Sequence, residues 1–181
     1  MAVKEWPLLA DEEVLQTPVF TLRRHRCRSP KDGRPRDFTV LAVREWVQVL
    51  AITEGHQVLL VRQFREGARS FSLELPGGVQ EAGQSLEETA RRELMEETGY
   101  SAASWRHLAS FKPNPAIQNN GAHLFVAEGA RLTGPTDFDE NEDLDLISVP
   151  LDSLKGMVLN GAIDHVIMAA GILFYFNSLK V

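Results

Sequence analysis

The sequence predicts an α/β protein: an α/β/α sandwich around a mixed β-sheet, preceded by a small N-terminal β-ribbon. Three observations predict it. β-rich runs recur from Trp46 onward with turn signals between them. One strongly capped helix, Ser85 to Thr98, interrupts those runs. The longest apolar run, Val166 to Phe176, suits a core helix and falls short of the roughly 18 residues a membrane-spanning helix needs. Strands interspersed with few helices bury their apolar faces best as layers.

The elements follow in order. Val19 to Arg28 and Asp37 to Val43 read as two strands joined through Ser29-Pro30-Lys31-Asp32-Gly33, where Asp32-Gly33 is a hairpin signal. This arm is basic, with Arg23, Arg24, Arg26, Arg28, Lys31, Arg34 and Arg36. A solvated hairpin and a lip that attracts a phosphorylated ligand both fit it. Trp46 to Thr53 and Gln57 to Gln63 are strands joined at Glu54-Gly55-His56. Phe71 to Leu75 is a short strand ended by Pro76-Gly77-Gly78. Trp105 to Phe111, Gly121 to Ala127 and Ile147 to Pro150 complete the strands. Ser85 and Glu88 form a capping box for the first helix, and Gly99 closes it. Leu151 to Leu159 is a short amphipathic helix, and Asp164 is placed to cap a last helix reaching about Asn177. Residues 1–43 form the arm and 44–181 the main domain.

Composition bounds the function. The 181 residues are 44% hydrophobic and 24% charged, which fits one globular domain with an appendage. A formal net charge of −6 counts against non-specific nucleic-acid binding, which runs on surplus Lys and Arg. A single cysteine, Cys27, excludes an internal disulfide and a multi-cysteine zinc site, and fits a reducing cytoplasm. Met1 to Trp6 has no apolar core of the kind a signal peptide carries. The five histidines are scattered, without zinc-ligand spacing.

The chemistry concentrates between Gly77 and Tyr100. The helix there carries Glu87, Glu88, Glu93, Glu96 and Glu97, and Glu93 stacks one turn before Glu97. Like charges at that spacing destabilise a bare helix by a few tenths of a kcal/mol per pair. Solvation relieves this, and so does a hard divalent cation, because Mg²⁺ and Mn²⁺ take carboxylate and carbonyl oxygens. The full pattern is G78-x5-Q84-x7-R92-E93-L94-x-E96-E97-x-G99-Y100.

That pattern resembles the Nudix hydrolase box, G-x5-E-x7-R-E-U-x-E-E-x-G-U with U bulky and apolar. Gln84 stands where the family has its first glutamate, and Tyr100 is a mild variation at the last U. Val61-Arg62-Gln63-Phe64-Arg65 and Leu73-Glu74-Leu75-Pro76-Gly77-Gly78 resemble the ADP-ribose pyrophosphatase and nucleoside-diphosphate-sugar hydrolase branch. Pro115 and the acidic run Asp139-Glu140-Asn141-Glu142-Asp143 match further features of that branch.

The resemblance implies metal-dependent cleavage of a diphosphate linkage by water, with Mg²⁺ or Mn²⁺ as cofactor. It implies ADP-ribose, GDP-mannose or a similar nucleotide sugar as substrate. Glu93 and Glu97 then hold the metal, with the Gly77 carbonyl and Glu142, while Arg92 fixes a carboxylate and Glu140 or Glu96 serves as base. Arg62, Arg65, Trp46, Glu74 and Asn119 are the substrate-binding candidates; a salt bridge of the arginines to Glu74, and core packing of Trp46, are the plain alternatives. The branch also implies a homodimer formed through the N-terminal strands. Gln84 motivates a second reading, a nucleotide-sugar sensor that has lost turnover, and a third is a Nudix enzyme for another nucleotide.

Overall fold

The computed structural model describes residues 2–138 and 143–179. The chain divides into two compact units, residues 1–44 with 112–121 and residues 45–111 with 122–181.

The first unit is a three-stranded antiparallel sheet, β1 (Leu8–Gln16), β2 (Thr21–Arg28) and β3 (Pro35–Ala42), in that order. The arm is therefore not the two-stranded ribbon that the sequence suggests. β1 lacks an apolar alternation because all nine of its residues are exposed; charge sets its place instead. Its Asp11, Glu12 and Glu13 lie opposite His25, Arg24 and Arg23 of β2. Arg23 Nε donates to Asp11 at 2.6 Å and Arg24 to Glu12 at 3.1 Å. The Arg23 guanidinium holds the Asp11 carboxyl below its usual range. Arg36 pairs with Asp32 and Arg26 faces Asp37. Much of the basic face is thus already neutralised within the arm. Residues 112–121 join this unit through Leu41 N–H on the Ile117 carbonyl at 2.7 Å.

The second unit carries β4 (Trp46–Thr53), β5 (Gln57–Arg65), β6 (Ser70–Glu74), α1 (Leu86–Thr98), β7 (Tyr100–Ser101), β8 (Ser104–Phe111), β9 (Ala122–Leu132), β10 (Asp145–Pro150), α2 (Leu151–Leu159) and α3 (Val166–Ser178). Its seven strands make one sheet, mixed because β4 and β9 run parallel while the other pairings are antiparallel. Alternate residues of each strand point to opposite faces. Val47, Val49, Ala51, Leu59, Phe125 and Ala127 pack with Ala90 and Leu94 of α1. Leu50, Ile52, Val58, Leu60, Leu124 and Val126 pack with Leu154 of α2 and Met168 and Ile172 of α3. Two cores on the two faces of one sheet make the α/β/α sandwich.

α1 forms where its capping box dictates: Glu88 N–H donates to Ser85 Oγ at 3.2 Å, and Ser85 N–H to Glu88 Oε2 at 2.7 Å. Gly99 ends the helix with φ 73°, and a Cβ there would overlap the Gly134 carbonyl oxygen. α3 begins one residue later than Asp164 implies. Its N-cap is His165, whose carbonyl accepts the Ala169 N–H, and no side chain caps it. Among the described residues no helix is long and apolar enough to cross a membrane.

Candidate active site

The site is built where β6 runs into the Pro76-Gly77-Gly78 turn. Val49 N–H donates to the Pro76 carbonyl at 2.8 Å and Val47 N–H to the Gly78 carbonyl at 2.9 Å, so the turn is docked along β4. An added Cβ would collide at both glycines, with backbone at one and with a side chain at the other. A Cβ on Gly77 would overlap the Val47 carbonyl oxygen, and one on Gly78 would fall on the Glu93 carboxylate.

α1 presents Glu93 and Glu97 to this turn from successive helical turns. They are 6% and 3% exposed, which is unusual for carboxylates unless something pairs with them. Glu97 Oε2 accepts the Gly77 N–H at 2.8 Å. Glu93 Oε1 accepts from Arg92 Nη2 at 2.8 Å, while Arg92 Nη1 reaches Glu96 Oε2 at 2.5 Å. Arg92 therefore clamps two glutamates at once and fixes their rotamers. Burial alone would lower the Arg92 pKa, but Glu93 and Glu96 outweigh it and raise the value. Gln84, the departure from the family box, lies beside this clamp. Its Oε1 accepts from Arg92 Nε at 3.4 Å and from Thr89 Oγ1 at 3.1 Å, and its Nε2 donates to Glu81 at 3.0 Å.

The Arg92 guanidinium pairs with Glu93 and Glu96 of the box and, at 3.8 Å, with Glu81. The Gly77 carbonyl makes no hydrogen bond among the described residues. Two buried carboxylates and a backbone carbonyl are hard oxygen donors, and they fit Mg²⁺ or Mn²⁺. No group of three His, Cys, Asp or Glu side chains suited to a metal occurs among the described residues. Glu140 and Glu142, the candidates for base and further ligand, lie outside the described residues.

The substrate candidates are dispersed. Arg65 makes a fork with Glu74 at 2.8 and 2.7 Å. Glu74 is 1% exposed. Burial pushes its carboxyl up most strongly, but the bonds and charge of Arg65, with Ser72 and His165, carry the balance below 4.5. Arg62 stacks over Phe71, 4.3 Å from its ring centre. Trp46 is half-buried at the start of β4, opposite Ala122 and bridged to Val79. Asn119 belongs to the first unit, where its Oδ1 accepts the Val43 N–H at 3.0 Å.

The fork gives a stability prediction. Arg65→Ala takes the half-exposed cation from a buried carboxylate and costs about 2 kcal/mol at pH 7. The depressed wild-type pKa adds stability above 4.5 that is lost as pH falls through the folded value. In the variant burial dominates, raises the Glu74 pKa and imposes a penalty that acid relieves. The gap between wild type and variant, read from urea unfolding, is therefore widest near neutrality and closes on acidification.

One group had no signal in the sequence. His123 Nε2 lies 2.8 Å from Glu45 Oε2 across 78 positions, His123 Nδ1 lies 2.8 Å from Ser110 Oγ, and His107 Nε2 lies 3.0 Å from the same hydroxyl. Only the pairing of β8, β9 and the start of β4 brings these residues together.

A glycine turn facing clamped glutamates on the first helix of an α/β/α sandwich defines a pyrophosphohydrolase of the Nudix class. The NUDIX domain family matches residues 42–168, and the chain belongs to that family, within its ADP-ribose pyrophosphatase branch. It is 37% identical over 149 residues to an ADP-ribose pyrophosphatase of Bacillus subtilis (strain 168), covering 81% of this chain and 80% of that one. It is also 37% identical over 107 residues to a methanol dehydrogenase activator of Bacillus methanolicus, covering 59% of this chain and 58% of that one, so it spans little more than half of that relative's length. A crystal structure of an ADP compounds hydrolase aligns with a TM-score of 0.86 at 22% identity, over 99% of this chain and 97% of the other, and shows the same fold.

Proposed function

We propose that the chain hydrolyses the diphosphate linkage of a nucleoside diphosphate sugar, ADP-ribose or a related ADP-sugar first and GDP-mannose second. The products are a nucleoside monophosphate and a sugar phosphate. The observation that carries this reading is the buried pair Glu93 and Glu97 against the Gly77-Gly78 turn, with Arg92 clamping Glu93 and Glu96. The ADP-ribose pyrophosphatase among its relatives supports the substrate class.

Glu93, Glu97 and the Gly77 carbonyl would hold Mg²⁺ or Mn²⁺, with Glu142 in support. When bound, the cation supplies neutralisation of the diphosphate and of charge developing on its oxygens. Arg92 keeps the carboxylates aligned before substrate arrives, so no reorganisation is needed during reaction. Glu140 takes the proton of the attacking water, with Glu96 the alternative base. The water oxygen bonds to one phosphorus while the bridging P–O bond breaks, and the second phosphate leaves with the bridging oxygen. Arg62 and Arg65 bind phosphate oxygens, with Glu74 holding Arg65 in its fork. Trp46 stacks on the base.

The test is product analysis. ADP-ribose incubated with the protein and Mg²⁺ yields AMP and ribose phosphate. Absence of turnover with every sugar nucleotide, by a folded and metal-loaded sample, overturns the reading. Tight binding of ADP-ribose without product would instead favour a sensor.

The chain acts as a homodimer through its N-terminal sheet. The support is the outer strand β1, whose Leu8, Leu9, Val14 and Leu15 are all about half exposed. A solution mass twice 20.2 kDa checks it. A lone cysteine supports a reducing, cytoplasmic setting.

A further inference from the structure

We infer that His123 and Glu45 are positioning residues for the metal-binding turn, acting through the backbone of residues 78–80. The inference rests on the function proposed above and on a chain of contacts within the second unit. Segment 78–80 is docked residue by residue on the start of β4. Val47 N–H donates to the Gly78 carbonyl, Trp46 bridges Val79, and Gln80 N–H donates to the Glu45 carbonyl at 2.9 Å. Glu45 is thus the last anchor of that docking, and it stands outside the regular strand.

His123 fastens this anchor from the neighbouring strand. An ionised Glu45 only accepts, so His123 Nε2 carries a proton and donates it at 2.8 Å. On its other side His123 Nδ1 lies 2.8 Å from the Ser110 hydroxyl oxygen. His107 Nε2 lies 3.0 Å from the same oxygen. Every member of the chain has a partner. The His123 side chain is 14% exposed and so is held in this one orientation.

The far end of the docked segment reaches the glutamates. The Val79 carbonyl accepts from Arg92 Nη2 at 3.5 Å, and the same nitrogen binds Glu93 Oε1 at 2.8 Å. Gln80 Nε2 donates to the Gln84 carbonyl at 2.7 Å, and Gln84 Oε1 accepts from Arg92 Nε. Letting Glu45 go frees the Val79–Gln80 backbone, and with it the clamp that orients Glu93. Outer partners that orient a ligand shell typically govern about 10–100-fold in metal affinity or activity.

The test compares His123→Ala, His123→Gln and Glu45→Ala with wild type. Mn²⁺ affinity is measured calorimetrically without substrate, and kcat and KM are measured with ADP-ribose at saturating metal. His123→Ala weakens Mn²⁺ binding and lowers kcat by about tenfold each, the low end of that range, while KM stays within about twofold. His123→Gln places an amide N–H where Nε2 was and restores most of both losses. Glu45→Ala removes the acceptor and reproduces the His123→Ala losses, and it carries the test if His123→Ala fails to fold. Unchanged Mn²⁺ affinity in His123→Ala overturns the inference, as does a loss confined to KM, which would make His123 a substrate contact. Mn²⁺ binding reads the coupling even if ADP-ribose proves not to be the substrate, so the two failures are distinguishable.

Discussion

Glu97→Gln lowers kcat for ADP-ribose hydrolysis by about a thousandfold, because a divalent cation supplies several kcal/mol of charge stabilisation and each 1.36 kcal/mol is a decade. The substitution is nearly isosteric. A glutamine oxygen still accepts the Gly77 N–H that Glu97 Oε2 takes at 2.8 Å, so the turn and α1 keep their geometry. What disappears is one of two buried negative charges facing the Gly77-Gly78 turn. The thermal midpoint therefore holds in the absence of metal, since the glutamine keeps the bond to the Gly77 N–H. Added Mg²⁺ stabilises wild type by mass action and stabilises the variant much less. Steady-state kinetics with a metal titration, and melting curves with and without Mg²⁺, check both parts. A variant that keeps its rate within threefold would show that Glu97 does not hold the metal.

Gly77→Ala destabilises the protein by about 3 kcal/mol, which at 2–4 °C per kcal/mol is a fall of about 6–12 °C in melting temperature. The new methyl overlaps the Val47 carbonyl oxygen, which is backbone and has no rotamer to escape into. Relief requires the turn to lift from β4, and that breaks the bonds of Val47 and Val49 N–H to Gly78 and Pro76. Gly78→Ala differs in kind. Its methyl meets the Glu93 side chain, which can swing away, so it spares stability and damages metal binding instead. The two neighbouring glycines thus separate fold from function, and differential scanning calorimetry beside Mn²⁺ calorimetry resolves them.

The parts legible in the sequence were those governed by local periodicity and caps. Trp46–Thr53 forms as read because alternate residues fill two cores, and α1 starts at Ser85 because its box satisfies two backbone donors. The clamp was half legible. The Arg92–Glu96 spacing of one turn predicts their meeting, but nothing local shows Arg92 also reaching Glu93 and Gln84. β1 was missed because a strand exposed on every residue has no hydrophobic alternation. Opposed charges, Asp11-Glu12-Glu13 against Arg23-Arg24-His25, were the only signal available, and they look like an acidic run and a basic run until paired. The His123–Glu45 contact was invisible because it depends on which strands are neighbours.

The way β1 is fastened has a consequence for how the arm responds to its surroundings. Oil-like burial fixes most strands, and its grip is little troubled by electrolytes. Here the side chains that add to the backbone ladder are ions in contact with water, whose reach shrinks from about 8 Å in physiological saline to about 3 Å in molar salt. Concentrated brine lets this edge strand slide or peel from β2 while the doubly cored sheet of the second unit stays intact.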